Sequence, residues 1–171
     1  MIIAEFAMMF TCGHLKPHNE TLNITDFKTN MAKILLIDDD DGFRKMLKTA
    51  VEKEGHRVIE ASNGEEGYRV FMEQPCDLII TDIFMPVKEG IHTIFEFKSD
   101  FPDTPVIAVS GGGIMAKKAD MEDTLIMVNS TMNAEEILEL ASDFGADHVV
   151  SKPISIDGFL KAIDSLLSID D

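Results

Sequence analysis

The sequence predicts an α/β fold in which a doubly wound, five-stranded parallel sheet is covered by helices on both faces. Short runs rich in Ile, Val and Leu alternate with segments whose apolar residues recur every three or four positions, a pattern typical of repeated strand and helix units. Most of the short runs are continuously apolar, as expected of strands that are buried on both faces. The predicted strands are Lys33 to Asp38, His56 to Ala61, Asp77 to Thr81, Pro105 to Ser110 and Asp147 to Ser151.

The first three helices are predicted from their apolar residues and from the residues at their ends. The first helix carries its apolar stripe between Phe43 and Val51 and ends at Gly55, a residue suited to a left-handed C-terminal cap. The second helix follows the pair Asn63-Gly64, and the third begins near Gly90.

The last two helices are predicted in the same way. Asn133 and Glu136 have the spacing of a capping box and mark the start of the fourth helix, which ends at Gly145. The fifth begins after Ser155. Their predicted buried residues are Ile137, Leu138, Ala141 and Phe144 in the fourth helix and Phe159, Leu160, Ile163, Leu166 and Leu167 in the fifth.

The chain of 171 residues divides into a predicted domain, residues 31–171, and an N-terminal extension, residues 1–30. We expect the extension to be disordered or foreign to the native protein, because the first strand opens abruptly after Met31. Intact-mass measurement of native protein would decide whether Met31 is the true start. The first ten residues are apolar apart from Glu5, but they are too few to cross a bilayer, so no membrane span is predicted.

The chain is strongly acidic, with a formal net charge of −16 at pH 7 and an isoelectric point near 4.5. Affinity for nucleic acid comes largely from clustered Lys and Arg that replace counterions on the phosphates, so this charge argues against a nucleic-acid partner. The two cysteines, Cys12 and Cys76, form neither a disulfide framework nor a metal-ligand pattern. A reducing cytoplasm is therefore the expected location.

Polar residues stand at the carboxyl ends of four predicted strands, where an open parallel sheet binds its ligands. The first strand ends in Asp38 and Asp39, the third in Asp82, the fourth in Ser110, and the fifth runs into Lys152. Alone, the acidic pair would be interpreted as a helix cap or a turn. The occurrence of all these residues at one edge of one sheet predicts a functional site.

The set suits phosphoryl transfer in which a carboxylate attacks phosphorus. Nearby carboxylates repel one another, and a divalent cation with oxygen ligands relieves the repulsion, so we predict Mg²⁺. Asp82 is the predicted nucleophile, Lys152 the cation for the phosphoryl oxygens, and Ser110 a hydroxyl that donates a hydrogen bond to one of them. Asp40 and Asp41 are expected in the first turn of the helix and not at the metal.

Four segments resemble, in order, the motifs of the receiver domains of two-component response regulators, the CheY-like family. They are ILLIDDDDGFR, LIITDIFMP with Glu89-Gly90 after it, VIAVSGGG and GADHVVSKP. The resemblance covers the chain from about Lys33 to Leu167. It implies a flavodoxin-like sheet with the strand order 2-1-3-4-5.

The resemblance also implies roles for single residues. Asp38 and Asp39 resemble the metal-binding pair, Asp82 the phosphoacceptor, Ser110 the switch hydroxyl and Lys152 the invariant lysine, and the main-chain carbonyl of Phe84 is the further expected metal ligand beside Asp82. The peptide bond between Lys152 and Pro153 is expected to be cis, which proline permits at a cost of about 1 kcal/mol or less.

By the same resemblance, we expect a single-domain response regulator of the cytoplasm. It would accept a phosphoryl group on Asp82 from a sensor histidine kinase or a histidine phosphotransfer protein, with Mg²⁺, and signal through contacts with a downstream protein. It would not be an enzyme in the usual sense, because it catalyses only its own phosphorylation and dephosphorylation.

Two features depart from the family pattern. Receiver domains usually carry an aromatic residue three positions before the lysine, where this chain has Val149, and burial in the strand is the expected role of that side chain. Ser110 and Lys152 are 42 positions apart, roughly twenty more than in most receivers, so we predict an insertion between the fourth strand and the fourth helix, at about residues 113–133. Its methionines suit core filling or an irregular loop, and a partner surface is the second interpretation.

Two other functions stay open at the level of the sequence. A pseudo-receiver would keep the fold as an interaction module and accept no phosphate. A phosphatase of the haloacid dehalogenase type also uses a strand-end aspartate with Mg²⁺ and a lysine, but such enzymes have an acid two residues after the nucleophile, where this chain has Phe84.

Overall fold

The computed structural model describes residues 31–85, 90–111 and 134–168, and within them five strands alternate with five helices. The strands are β1 (Lys33–Ile37), β2 (Arg57–Ala61), β3 (Leu78–Asp82), β4 (Val106–Gly111) and β5 (His148–Lys152). The helices are α1 (Asp41–Lys53), α2 (Gly64–Glu73), α3 (Gly90–Asp100), α4 (Ala134–Asp143) and α5 (Ile156–Leu167). Every predicted element is present, and each strand boundary lies within one residue of its prediction.

The strands form one parallel sheet in the order β2-β1-β3-β4-β5, which confirms the predicted fold class. β2 lies on one side of β1, whereas β3, β4 and β5 extend from the other side, so the order of strands reverses at β1. Sheets of this kind bind ligands at the carboxyl ends beside the reversal. The register pairs Ile37 with Thr81, and the residues that follow them, Asp38 and Asp82, therefore come side by side at that edge.

Each face of the sheet is buried against helices. One core joins α2, α3 and α4 to the sheet and includes Phe71, Phe97 and Ile137. The other core joins α1 and α5 to the opposite face and includes Leu47 and Phe159. Residues of the central strands point alternately into the two cores, which explains why these strands are nearly continuously apolar.

The predicted stripes of α4 and α5 are largely confirmed. Ile137 and Ala141 in α4, and Phe159 and Ile163 in α5, are buried. The remaining described members of the stripes, Phe144, Leu160, Leu166 and Leu167, are half-buried against the cores. They lie at the rims of the cores, and an apolar pattern does not distinguish a rim from a centre. The side chain of Leu138 lies outside the described residues.

The helix ends follow the predicted signals. Gly55 and Gly145 have φ angles of 94° and 102°, in the left-handed region that favours glycine, and they follow α1 and α4. Asn63 and Ser155 cap the first turns of α2 and α5, because their side-chain oxygens accept hydrogen bonds from main-chain amides.

Three predictions fall outside the described residues: the N-terminal extension at residues 1–30, the insertion at about residues 113–133, and the capping residue Asn133. The division of the chain into an extension and a domain therefore stays a prediction. Of the helices listed above, none is long and apolar enough to cross a membrane.

Candidate functional site

Three carboxylates meet at the carboxyl edge of the sheet. Asp38 and Asp39 follow β1, Asp82 ends β3, and one carboxylate oxygen from each lies within 4.8 Å of the others. Asp38 and Asp82 are only 1% and 6% exposed, whereas Asp39 is exposed. Because like charges this close repel one another, the cluster fits a hard cation that takes oxygen ligands.

Lys152, the last residue of β5, reaches across β4 to this cluster. Its Nζ donates hydrogen bonds to Oδ2 of Asp38 at 3.1 Å and to Oδ2 of Asp82 at 2.9 Å. The same Nζ lies 3.9 Å from the ring centroid of Phe43, a cation–π distance. One ammonium group therefore bridges the two buried carboxylates and is covered by an aromatic ring.

Burial and neighbouring groups shift the pKa values of Asp38 and Lys152. Burial raises the pKa of Asp38 above its ordinary value; the hydrogen bond from the Asp40 amide opposes this rise, and the negative charge of Asp82 adds to it. Burial opposes the positive charge of Lys152, but the hydrogen bonds and charges of Asp82 and Asp38 outweigh burial and raise the pKa of the ammonium. Lys152 therefore stays a cation at neutral pH, and this one ammonium group faces a cluster of three carboxyl groups.

Ser110 lies in β4, beside β3, and its side chain is completely buried. Among the residues that the structure describes, its Oγ has no hydrogen-bond partner. A buried hydroxyl without a partner costs about 1–3 kcal/mol. A phosphoryl oxygen held beside Asp82 would supply the acceptor for this hydroxyl.

The chain after β3 folds back over Asp82. The main-chain amide of Phe84 donates a hydrogen bond to Oδ1 of Asp82 at 3.2 Å, which orients the carboxylate. The assignment of the Phe84 carbonyl to a metal stays a prediction. The peptide bond between Lys152 and Pro153 is cis, as expected.

Val149 stands where an aromatic residue was expected from the family pattern. It lies in β5, is half-buried and packs against the core under α3 and α4. This environment agrees with the expected role of a strand side chain.

Asp40 supports the site in a way that the sequence only partly indicated. It is the N-cap of α1 and not a first-turn residue, since its Oδ1 accepts hydrogen bonds from the amides of Gly42 at 2.8 Å and Phe43 at 3.0 Å. These hydrogen bonds lower the pKa of Asp40. Its own amide donates to Oδ1 of Asp38 at 2.8 Å. Asp41 is in the first turn, as predicted.

Gly90, the first residue of α3, packs directly on the backbone of Asp82. A Cβ at this position would lie 1.9 Å from the carbonyl oxygen of Asp82 and 2.5 Å from the Cα of Ile83. The Gly90 amide donates to the Ile83 carbonyl at 2.9 Å, which fixes the approach. The sequence indicated Gly90 as part of a motif and as the start of the third helix, but not this steric requirement, which arises from contact between two separate segments.

The chain matches the family described as response regulator receiver domain over residues 34–125. The response regulator receiver protein CpdR of Brucella abortus is 34% identical over 92 residues, which cover 54% of this chain and 77% of that protein. The transcriptional regulatory protein GlrR of Escherichia coli is 29% identical over 136 residues, which cover 80% of this chain and 26% of that protein. The chain therefore spans about a quarter of the length of this larger relative.

Solved structures have the same fold. A response regulator receiver domain protein from Clostridium thermocellum has a TM-score of 0.65 at 29% identity, with coverage of 80% of this chain and 94% of that one. A CheY-like receiver domain protein from Methanospirillum hungatei has a TM-score of 0.64 at 24% identity, again with coverage of 80% and 94%, and is similar in fold.

The chain therefore belongs to the response regulator receiver domain family. Receiver domains of two-component systems are signalling domains that are phosphorylated on an aspartate. They generally bind Mg²⁺ at an acidic pocket and interact with histidine kinases and downstream effectors. The acidic cluster at the carboxyl edge of this sheet has the composition of such a pocket.

Gly90→Ala is expected to lower the free energy of unfolding by about 1–3 kcal/mol, because the added methyl group overlaps the Asp82 carbonyl and both segments must shift. Gly158→Ala is the matched control, since a Cβ there would lie 3.6 Å from its nearest neighbour, the Oγ of Ser155. The control should be unchanged or up to about 1 kcal/mol more stable. Urea unfolding measures both variants, and equal stabilities would contradict the close packing at Gly90.

Proposed function

We propose that this protein is a single-domain response regulator that accepts a phosphoryl group on Asp82. The donor is a sensor histidine kinase or a histidine phosphotransfer protein. The observation that carries the proposal is the convergence of Asp38, Asp39, Asp82 and Lys152 at one point of the sheet edge. These residues arrive from β1, β3 and β5, and together they combine a nucleophile, oxygen ligands for a metal and a cation for phosphoryl oxygens.

In the proposed reaction, one carboxylate oxygen of Asp82 attacks phosphorus and forms a new P–O bond. The bond between phosphorus and the donor breaks, and its electron pair leaves with the donor. Lys152 Nζ, 2.9 Å from Oδ2 of Asp82, is near enough to stabilise the charge on the phosphoryl oxygens. The buried hydroxyl of Ser110 donates a hydrogen bond to one of these oxygens once the new bond has formed.

Asp38, Asp39 and Asp82, with the main-chain carbonyl of Phe84, would hold Mg²⁺. Carboxylate and carbonyl oxygens are the ligands that this ion prefers, and the three carboxylates lie within 4.8 Å of one another. When bound, the ion supplies positive charge to the phosphoryl oxygens. Lys152 forms ion pairs with Oδ2 of Asp38 and with Oδ2 of Asp82. It therefore has to share or release these two oxygens before Mg²⁺ can bind.

The output of the domain in this proposal is contact with another protein. The net charge of −16 opposes direct binding to nucleic acid, whose affinity depends on basic residues. The transcriptional regulatory protein GlrR is about four times as long as its matched part, so its action on transcription is not carried over to this chain. A single-domain form is supported by the relative CpdR, because the match covers 77% of its length.

Incubation with Mg²⁺ and acetyl phosphate is expected to add the mass of one phosphoryl group, labile in base, to the intact protein. The added mass should map to Asp82 and be absent from Asp82→Asn, because an amide oxygen is a poor nucleophile. Asp103→Asn is the matched control, since Asp103 is an exposed aspartate that precedes β4, at the opposite edge of the sheet, and this variant should be modified like the wild type.

Two results, one from this experiment and one from a phosphatase assay, would contradict the proposal. Absence of the added mass from folded protein would favour the pseudo-receiver, an interaction module that works without phosphate. Steady release of phosphate from a generic phosphomonoester would favour the phosphatase, although Phe84 stands where that enzyme class has its acid.

Asp38→Asn is expected to stabilise the protein when no metal is present. Because the pKa of Asp38 is raised in the folded protein, the native state holds this proton more tightly than the unfolded chain does. Stability from this group is therefore present at acid pH and is lost as the pH rises from the ordinary aspartate range through the raised pKa. A neutral asparagine avoids the loss, so urea unfolding at neutral pH in EDTA should give the variant the higher midpoint.

Magnesium should reverse that order. At a Mg²⁺ concentration about 100 times its Kd, the wild type should gain about 2.7 kcal/mol, whereas Asp38→Asn should gain much less because it lacks one ligand charge. A variant that is less stable than the wild type in EDTA would contradict the first expectation. A variant that gains as much as the wild type from Mg²⁺ would contradict the assignment of Asp38 to the metal.

A further inference from the structure

Arg44, in the first turn of α1, joins three parts of the chain. Its Nη1 donates a hydrogen bond to the main-chain carbonyl of Asp38 at 2.5 Å, and its Nη2 pairs with the carboxylate of Asp41. Its Nε donates to Oε1 of Glu60, on β2, at 3.4 Å. The side chain is only 14% exposed. A guanidinium group holds several acceptors in a fixed geometry, so Arg44 ties the loop between β1 and α1 to the neighbouring strand.

The carbonyl of Asp38 matters because of the residue that follows it. This carbonyl and the amide of Asp39 belong to one rigid peptide plane. A partner that fixes the carbonyl therefore also fixes the direction in which the chain enters Asp39. In residues 31–85, 90–111 and 134–168, no hydrogen bond or ion pair restrains the exposed carboxylate of Asp39, so its place beside Asp38 and Asp82 depends on its backbone.

The other polar groups of Asp38 have different partners. Its amide donates to the carbonyl of Ala61 at 3.2 Å, which continues the pairing of β1 with β2. Its Oδ1 accepts from the Asp40 amide at 2.8 Å, and its Oδ2 accepts from Lys152 at 3.1 Å. Arg44 supplies the partner of the remaining group, the carbonyl, and completes the restraint of this residue.

We infer that Arg44 is a positioning residue of the metal site: it holds the peptide between Asp38 and Asp39 so that both carboxylates face Asp82. This inference rests on the proposed Mg²⁺ site. Partners that orient metal ligands without touching the metal typically contribute about ten- to a hundredfold to metal affinity.

Charge and positioning predict opposite results when Arg44 is replaced. A positive charge near a cation site repels the cation. If Arg44 acted only by its charge, its replacement would therefore strengthen Mg²⁺ binding. If Arg44 positions the ligands, its replacement should weaken Mg²⁺ binding. The direction of the change in Mg²⁺ affinity therefore distinguishes the two roles.

The test is calorimetric titration of the full chain with MgCl₂ alone. Arg44→Gln is expected to weaken Mg²⁺ affinity about tenfold. Arg44→Lys should weaken it by about threefold or more, because one ammonium cannot hold the carbonyl of Asp38 and the carboxylate of Glu60 as the guanidinium fork does. Lys48→Gln is the matched control, since Lys48 pairs with Glu60 at 2.6 Å in the same network. This control should leave the affinity within about twofold of the wild type.

A second control separates positioning from a general loss of stability. Phe97→Ala removes a fully buried ring from the core on the other face of the sheet and should bind Mg²⁺ as the wild type does. Equal weakening in Phe97→Ala and Arg44→Gln would overturn the inference. Unchanged or tighter binding in both Arg44 variants would also overturn it and would leave the metal site standing. A wild-type chain that binds no Mg²⁺ would overturn the metal site itself.

Discussion

Two buried carboxylates and one ammonium share a small space at the carboxyl edge of the sheet, and much of the surrounding structure keeps them there. Lys152 Nζ lies 3.1 Å from Asp38 and 2.9 Å from Asp82. A buried charge is costly unless it is paired and hydrogen-bonded, so the ammonium of Lys152 offsets part of the cost of burying the two carboxylates. The strand order makes the arrangement possible, because β1 and β3 are neighbours and a lysine at the end of β5 is long enough to reach both.

The segments around Asp38, Asp82 and Lys152 restrain the two carboxylates from several directions. Asp40 caps α1 and donates its amide to Asp38, while the amide of Phe84 holds Asp82. Gly90 lets α3 begin directly against the backbone of Asp82, where a side chain would overlap the carbonyl. Rigid placement of this kind suits the proposed function, because a small addition at Asp82 would then disturb several elements at once.

Much of this arrangement was predictable because a parallel sheet collects the carboxyl ends of its strands at one edge. Residues at those ends, such as Asp38 and Asp82, can therefore be assigned to a common site from strand positions alone, and the register of Ile37 with Thr81 agrees with that assignment. The resemblance of the motifs to receiver domains added the strand order, which hydrophobic periodicity does not determine. The family match confirms the resemblance, and the sheet topology confirms the strand order.

The remaining features depend on distances between segments that a linear pattern does not contain. An N-cap lies only one residue before the first turn of a helix. The apolar stripe of α1 therefore did not show whether Asp40 is the N-cap or a first-turn residue. The contact of Arg44 with a main-chain carbonyl depends on its rotamer and on the path of the loop. The close approach at Gly90 depends on how α3 packs on the end of β3. Such contacts support the site without belonging to a recognisable chemical pattern.

The variant Lys152→Met tests the balance between Lys152 and the carboxylates most directly. Calorimetry measures its affinity for Mg²⁺, and a second assay measures the rate at which it accepts a phosphoryl group from acetyl phosphate. Removal of the ammonium removes the cation that competes for Asp38 and Asp82. Mg²⁺ should therefore bind about threefold or more tightly, while phosphoryl acceptance slows by about tenfold or more because charge on the phosphoryl oxygens is no longer stabilised. A variant that binds Mg²⁺ no more tightly than the wild type, or that accepts phosphate at the wild-type rate, would contradict the account.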